Sequence, residues 1–139
     1  MTPRRRREWF DDDVFWRDLY PYIFPERRFE AAVLDTRKVI RLVRPRGRSV
    51  LDLACGPGRF AIAFARQRYR VTGVDRTKYF LDRARQRARG AKLPVEWIRQ
   101  DMRDFVRPAA YDLAICMYTS FGYFQNPNED LRVLRQVFE

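Results

Sequence analysis

The stretch that decides the fold reads Val50-Leu51-Asp52-Leu53-Ala54-Cys55-Gly56-Pro57-Gly58-Arg59. It is a short apolar run that carries one carboxylate, breaks into a glycine-rich turn and continues as the start of a helix. Glycine has no Cβ, so Gly56 and Gly58 can take tight turn conformations and let backbone N–H groups approach a bound ligand. The stretch therefore predicts a strand, a ligand-binding loop and a helix, and it leaves the identity of the ligand open.

The chain on the C-terminal side of this loop alternates between apolar runs and helical patterns. This alternation predicts an α/β fold, a Rossmann-like parallel sheet with helices on both faces. The predicted strands are 49–53, 70–74, 95–98 and 111–117, and the predicted helices are 59–67, 78–89 and 128–139.

Three parts of the chain differ in composition. Residues 1–13 begin with a run of arginines and then carry several acids, which predicts a mobile tail. Residues 14–48 are expected to form a helical flap, with a short aromatic helix over 14–23 and a longer helix from Pro25 to about Val43. Residues 49–139 carry the alternating pattern and form a partial Rossmann-like domain.

Composition limits the class of protein. A length of 139 residues with 46% hydrophobic content supports one domain with a core, and no window is apolar enough over ~18 residues to span a membrane. The basic start lacks the apolar core of a signal peptide, which predicts a cytoplasmic location. With two cysteines and no histidine, we expect reduced thiols, no disulfide framework and no metal site.

The net charge of +11 comes from 29 Lys+Arg against 18 Asp+Glu. Such a charge would suit a nucleic-acid partner through phosphate neutralisation. The arginines are spread along several predicted helices, which is more typical of a solvated basic surface. A nucleic-acid partner is therefore possible but not favoured.

Ligands of parallel sheets bind outside the carboxyl ends of the strands, so residues that follow each strand are the candidates for a site. Asp75 ends a strand about 20 residues beyond the glycine turn, where a carboxylate can accept hydrogen bonds from ribose hydroxyls. Gly56, Gly58 and Ala61 also satisfy the weak dinucleotide pattern G-x-G-x-x-A, which keeps an NAD(P)-binding domain open.

Leu51-Asp52-Leu53-Ala54-Cys55-Gly56-Pro57-Gly58 resembles the first motif of the class I S-adenosylmethionine-dependent methyltransferases. The resemblance implies S-adenosylmethionine as cofactor, with Asp52 near its amino group and Asp75, followed by Arg76, at the ribose. A carboxylate at Asp52 would repel a pyrophosphate but suits a cationic amine and sulfonium. By the same resemblance Asp101 accepts from the adenine amine, and the remaining cofactor contacts come from Ala54, Cys55, Gly56, Gly58, Met102 and Met117.

The activity implied is transfer of a methyl group to an unidentified acceptor, with a small molecule favoured. No catalytic residue is identified, because the cofactor supplies the activation and the chain has no histidine to act as a base. Two alternatives stay open: a non-catalytic cofactor- or nucleic-acid-binding module, and the NAD(P)-binding domain.

The resemblance covers residues 49–139, whereas the sheet of the family continues with a fifth strand and an antiparallel pair. We therefore expect a truncated or split domain, incomplete at its C-terminal end, whose fourth strand is an unpaired apolar edge. Such an edge, or the last helix, could join two copies as a homodimer. The segment 119–124 also resembles a loop of a bacterial subgroup, and we expect Phe121 and Phe124 to be core residues.

Overall fold

The computed structural model describes residues 6–118 and 120–139. One turn of 3₁₀ helix, Trp9–Asp11, precedes the helices α1 (Asp13–Ile23) and α2 (Glu26–Val43). The alternating part comprises β1 (Ser49–Leu53), α3 (Arg59–Arg66), β2 (Arg70–Asp75), α4 (Lys78–Gly90), β3 (Glu96–Arg99), β4 (Leu113–Ile115) and α5 (Pro127–Phe138).

The four strands form one parallel sheet in the order β3-β2-β1-β4. The register pairs Leu51 of β1 with Thr72 of β2 and with Ala114 of β4. The predicted fold class, an α/β parallel sheet flanked by helices, is confirmed. The fourth strand is shorter than the predicted 111–117, because its pairing with β1 covers Val50 to Asp52 alone.

Alternation along the strands divides the core between the two faces of the sheet. Val50 and Val71 pack with Phe64 of α3 and Ala32 of α2 on one face. Leu51 and Leu53 of the same central strand point to the other face, where α5 supplies Val133. The helices therefore lie on both faces, as predicted, and β1 is buried between them.

The helical flap is two consecutive helices with only Phe24 and Pro25 between them. Asp12 caps α1 by accepting hydrogen bonds from the backbone N–H groups of Val14 and Phe15, and the helix continues through Pro21. No helix in the described part of the chain is both long and apolar enough to cross a membrane.

The N-terminal segment differs from the predicted mobile tail. Residues 1–5 lie outside the described residues, but Trp9–Asp11 form a helical turn and Phe10 is only 6% exposed. Phe10 packs in the same cluster as Leu53 and Val74, on the α5 face of the sheet. The charged residues around it suggested a solvated segment, whereas Glu8 and Asp11 form ion pairs with arginines of the domain.

Candidate functional site

A cavity of about 310 Å³ opens at the carboxyl ends of the strands, beneath α1 and the start of α2. Its walls contain every residue predicted for the cofactor site except Gly58. The predicted residues that line it are Asp52, Ala54, Cys55, Gly56, Asp75, Arg76, Asp101, Met102 and Met117.

Asp75 fixes the glycine-rich loop to the end of β2. Its carboxylate oxygens accept hydrogen bonds from the backbone N–H groups of Gly56 and Thr77, both at 2.8 Å. The loop turns sharply at Ala54 and Gly56, which both have positive φ, and the Cys55 N–H donates to the carbonyl of Val74. Burial raises the pKa of Asp75, and the two N–H donors act in the opposite direction.

Asp52 is the most deeply buried carboxylate of the cavity wall, at 2% exposure. Its Oδ2 has no hydrogen-bond partner among the described residues. Burial raises the pKa of Asp52 to about 8, and the negative charge of Asp75 adds to this rise. The hydrogen bond from the backbone N–H of Ala61 and the positive charge of Arg59 lower the pKa. A cationic group in the cavity would satisfy this oxygen and favour its ionised form.

Gly58 does not line the cavity, which differs from its predicted role. It is the N-cap of α3 with φ +84°, and a Cβ there would lie 2.7 Å from the Trp97 ring and 3.2 Å from the Ala84 methyl. Glycine is required at this position so that the loop can pack against α4 and β3.

Asp101 lies at the cavity but is already engaged by two arginines. Arg103, only 2% exposed, donates to both of its oxygens, and Arg76 forms an ion pair with it at 3.2 Å. Burial raises the pKa of Asp101, but these partners outweigh it and hold the pKa below its usual value. An adenine amine would have to compete with Arg76 for this carboxylate, so the role of Asp101 stays a prediction.

Sequence reasoning did not place Arg59 at the start of α3, Arg28 in the first turns of α2, or Phe60 in the cavity wall. The rings of Phe24 and Tyr118 line the same cavity. Arg59 directly follows the glycine-rich loop, and this adjacency was the one available signal. Arg28 gave none, because only the packing of the flap brings it to the sheet.

The segment after β4 lines part of the cavity. Ser120 and Tyr123 line the cavity, and Phe124 is buried as predicted. Phe121 is 41% exposed, so its predicted place in the core is wrong. Thr119 lies outside the described residues.

Both cysteines are free thiols. Cys55 is buried beneath the loop, and burial raises its pKa well above the usual value, with the negative Asp75 and Asp52 adding to the effect. Burial likewise raises the pKa of Cys116 to about 11. The thiols are therefore protonated at neutral pH and poor nucleophiles.

Comparison with known proteins agrees with this geometry. The profile of the family described as a methyltransferase domain matches residues 50–139. A dTDP-3-amino-3,4,6-trideoxy-alpha-D-glucopyranose N,N-dimethyltransferase of Streptomyces venezuelae is 30% identical over 84% of this chain and 46% of its own length. A cypemycin N-terminal methyltransferase of a Streptomyces species is 31% identical over 66% of this chain and 36% of its own length.

The fold gives the same result. The crystal structure of a protein from Pyrococcus horikoshii OT3 superposes with a TM-score of 0.73 and 29% identity, over 89% of this chain and 55% of the other. The chain thus spans about half the length of the relatives it matches. With the sheet, the loop and the cavity in the positions described, the chain belongs to the family of class I S-adenosylmethionine-dependent methyltransferases.

Proposed function

We propose that this chain is the cofactor-binding part of an enzyme that transfers a methyl group from S-adenosylmethionine to a small molecule. The observation that carries the proposal is the unsatisfied Oδ2 of Asp52 in the cavity wall, two residues before the glycine-rich loop. A buried carboxylate without a partner is costly, and a ligand ammonium would remove that cost.

The cavity fits the cofactor in the chemistry of its walls. Asp52 would hold the ammonium group, and the loop around Ala54 and Gly56 would lie along the amino-acid part. Asp75, whose carboxylate lines the cavity at the end of β2, would take the ribose hydroxyls. Met102 and Phe80 offer apolar surface to the adenine ring.

The cofactor, when bound, supplies an activated methyl group on a sulfonium. The chain's own contribution is to orient the two reactants and to exclude water. Phe10, Trp16 and Tyr123 make one side of the cavity aromatic, which removes water from the reacting groups. No side chain is assigned as a catalytic base.

The acceptor class is proposed from two relatives. Their names give an amino sugar nucleotide in one case and a peptide N-terminus in the other. The amino sugar nucleotide favours a small molecule as the acceptor. The cytoplasmic location stays a prediction from the sequence.

Isothermal titration with S-adenosylmethionine and S-adenosylhomocysteine tests the proposal. We expect saturable binding to the native chain and at least about tenfold weaker binding to Asp75→Ala, which loses both the ribose acceptor and the loop contact. Asp82→Ala is the matched control, since Asp82 is an exposed acid on α4 that pairs with Lys78 away from the cavity. Absence of binding to the native chain would contradict the proposed cofactor.

A further inference from the structure

Three helices end at the amino ends of the strands, on the side of the sheet opposite the cavity. They are α2, α3 and α4, which lead into β1, β2 and β3, three neighbouring strands of the sheet. Because α3 packs against both other helices, the three C-terminal ends lie side by side. β1 is five residues long, which separates this surface from the cavity by about 15 Å.

Nine exposed cations lie on this surface, which we call the basic edge. They occupy the last turns of the three helices, the loops after them and the first residue of β2: Arg41, Arg44, Arg46, Arg48, Arg66, Arg68, Arg70, Arg89 and Lys92. Among the residues that the structure describes, none of the nine forms an ion pair.

Two acids near the basic edge already have partners. Glu96, the first residue of β3, receives hydrogen bonds from Arg107 on both carboxylate oxygens. Asp112 accepts a hydrogen bond from the backbone N–H of Ser49. The positive charge of the basic edge is therefore left for a partner outside the chain.

The helix dipole does not explain the whole of this charge. A cation in the last turn of a helix complements the dipole. Arg46, Arg48 and Arg70 lie instead in the loop before β1, directly before β1 and at the start of β2. Arginines that are spread over residues 41–92 of the sequence are thus collected by the fold on one surface.

A shallow groove of about 500 Å³ crosses the starts of β1, β2 and β3 within the basic edge. Tyr69 and Arg70 line it together with Glu96, whose charge Arg107 neutralises. The exposed guanidinium of Arg48 lies over the Tyr69 ring, 5.2 Å from its centroid. The groove thus combines cations with a flat stack of a ring and a guanidinium.

We propose that the basic edge binds single-stranded nucleic acid. Proteins hold a single strand in a positive groove, where cations bind the phosphates and aromatic rings stack on the bases. Eight of the nine cations are arginines, whose planar guanidinium binds phosphate through two hydrogen bonds and also stacks on bases. An anionic lipid surface would meet the same charge, but it would not fill the groove or stack on Arg48 and Tyr69.

This binding is separate from the proposed transfer of a methyl group. The basic edge and the cavity lie at opposite ends of the strands, so a strand bound at one leaves the other open. The nucleic acid is therefore a second ligand and not the methyl acceptor.

Fluorescence anisotropy with a labelled oligouridylate of about 15 nucleotides tests the proposal. We expect binding whose affinity falls steeply with salt, and Arg48→Gln/Arg70→Gln to weaken it at least about tenfold. Arg17→Gln/Arg27→Gln is the matched control, because it removes the same charge at exposed positions outside the cavity and the basic edge. Equal weakening by the two double variants would overturn the proposal, since the net charge alone would then attract the strand.

Tyr69→Leu tests the stacking without changing the charge. We expect oligouridylate to bind at least about fivefold more weakly to this variant. Unchanged thermal unfolding by circular dichroism shows that each variant is folded, and unchanged binding of S-adenosylhomocysteine would support two separate sites. If the native chain binds phosphatidylserine vesicles but not oligouridylate, the partner is a membrane and the proposal is wrong, whereas the proposed methyl transfer is unaffected.

Discussion

Asp52 combines the two properties that define the site at the scale of single residues: it is buried in the central strand, and one of its oxygens has no partner among the described residues. Its pKa of about 8 means that the carboxyl is mostly protonated at pH 7 in the ligand-free chain. Ionisation is then linked to ligand binding, because a nearby ammonium stabilises the charged form.

The same shift predicts a pH-dependent stability change for Asp52→Asn. The folded chain holds the Asp52 proton up to about pH 8, whereas the unfolded chain releases it near pH 4. The unfolding free energy of the native chain therefore falls as pH rises between these values. Asparagine does not ionise, so we expect the unfolding free energy of Asp52→Asn, relative to that of the native chain, to be about 4 kcal/mol higher at pH 8.5 than at pH 5. Urea unfolding at both pH values measures this, and an equal difference at both would contradict the assigned burial.

The Asp52 carboxyl should also release its proton when a ligand binds. Binding of S-adenosylhomocysteine at pH 6.5 should release up to about one proton, because its ammonium lowers the pKa of Asp52 below the ambient pH. Titration calorimetry in two buffers of different ionisation enthalpy gives the number. Asp52→Asn should show weaker binding and no such release; the same release from the variant would assign the proton to another group.

At the scale of elements, the sequence predicted each strand and helix of the alternating part to within two or three residues at each end. The alternation of apolar residues in β1 and β2 carries this information locally. The local sequence pattern could not predict the folded N-terminal turn, because Phe10 is buried against residues more than 40 positions away, such as Leu53 and Val74. Nor could it show that Gly58 packs against Trp97.

Gly58→Ala tests this packing role. A Cβ at Gly58 would lie 2.7 Å from Trp97 at a φ of +84°, so we expect a loss of about 2–4 kcal/mol in unfolding free energy. Cofactor affinity should change little at temperatures where the variant is folded. Gly90→Ala is the matched control, because no atom lies within 4 Å of the added methyl and its φ is not positive. A stable Gly58→Ala chain that no longer binds cofactor would favour the original site role.

Phe10→Ala distinguishes a packed N-terminal turn from a tail. Removing this buried ring should cost about 3–5 kcal/mol, which thermal and urea unfolding would detect. Val14→Ala, a change at an exposed position of α1, should cost almost nothing. Equal stability of the Phe10→Ala and native chains would show that the turn does not contribute to the fold.

At the scale of the whole molecule, the last helix leaves apolar side chains exposed beside the edge strand of the sheet. Strand β4 pairs only with β1 in the described part of the chain, and α5 buries Val133 but exposes several apolar residues. These exposed residues are Leu131, Leu134, Val137 and Phe138. An exposed apolar stripe of this kind, with charged residues around it, is typical of an interaction surface.

The homodimer predicted from the sequence can be tested on this surface. We expect sedimentation velocity at tens of micromolar to show a dimer, and Leu134→Asp to return it to the monomer. Leu42→Asp, a matched change at an exposed leucine of α2, should leave the dimer intact. A native chain that sediments as a monomer over this range would contradict the prediction.

Arg103 couples the opening of the N-terminal turn to the opening of the last helix. Its buried guanidinium forms ion pairs both with Glu8, near the start of the chain, and with Glu129 in α5. If either segment moved away from Arg103, charged groups of this cluster would lose their partner. Detachment of one end therefore weakens the hold on the other. Native-state hydrogen exchange should find the amides of the Trp9–Asp11 turn and of the first turns of α5 opening as one cooperative unit, although 120 or so residues separate them along the backbone.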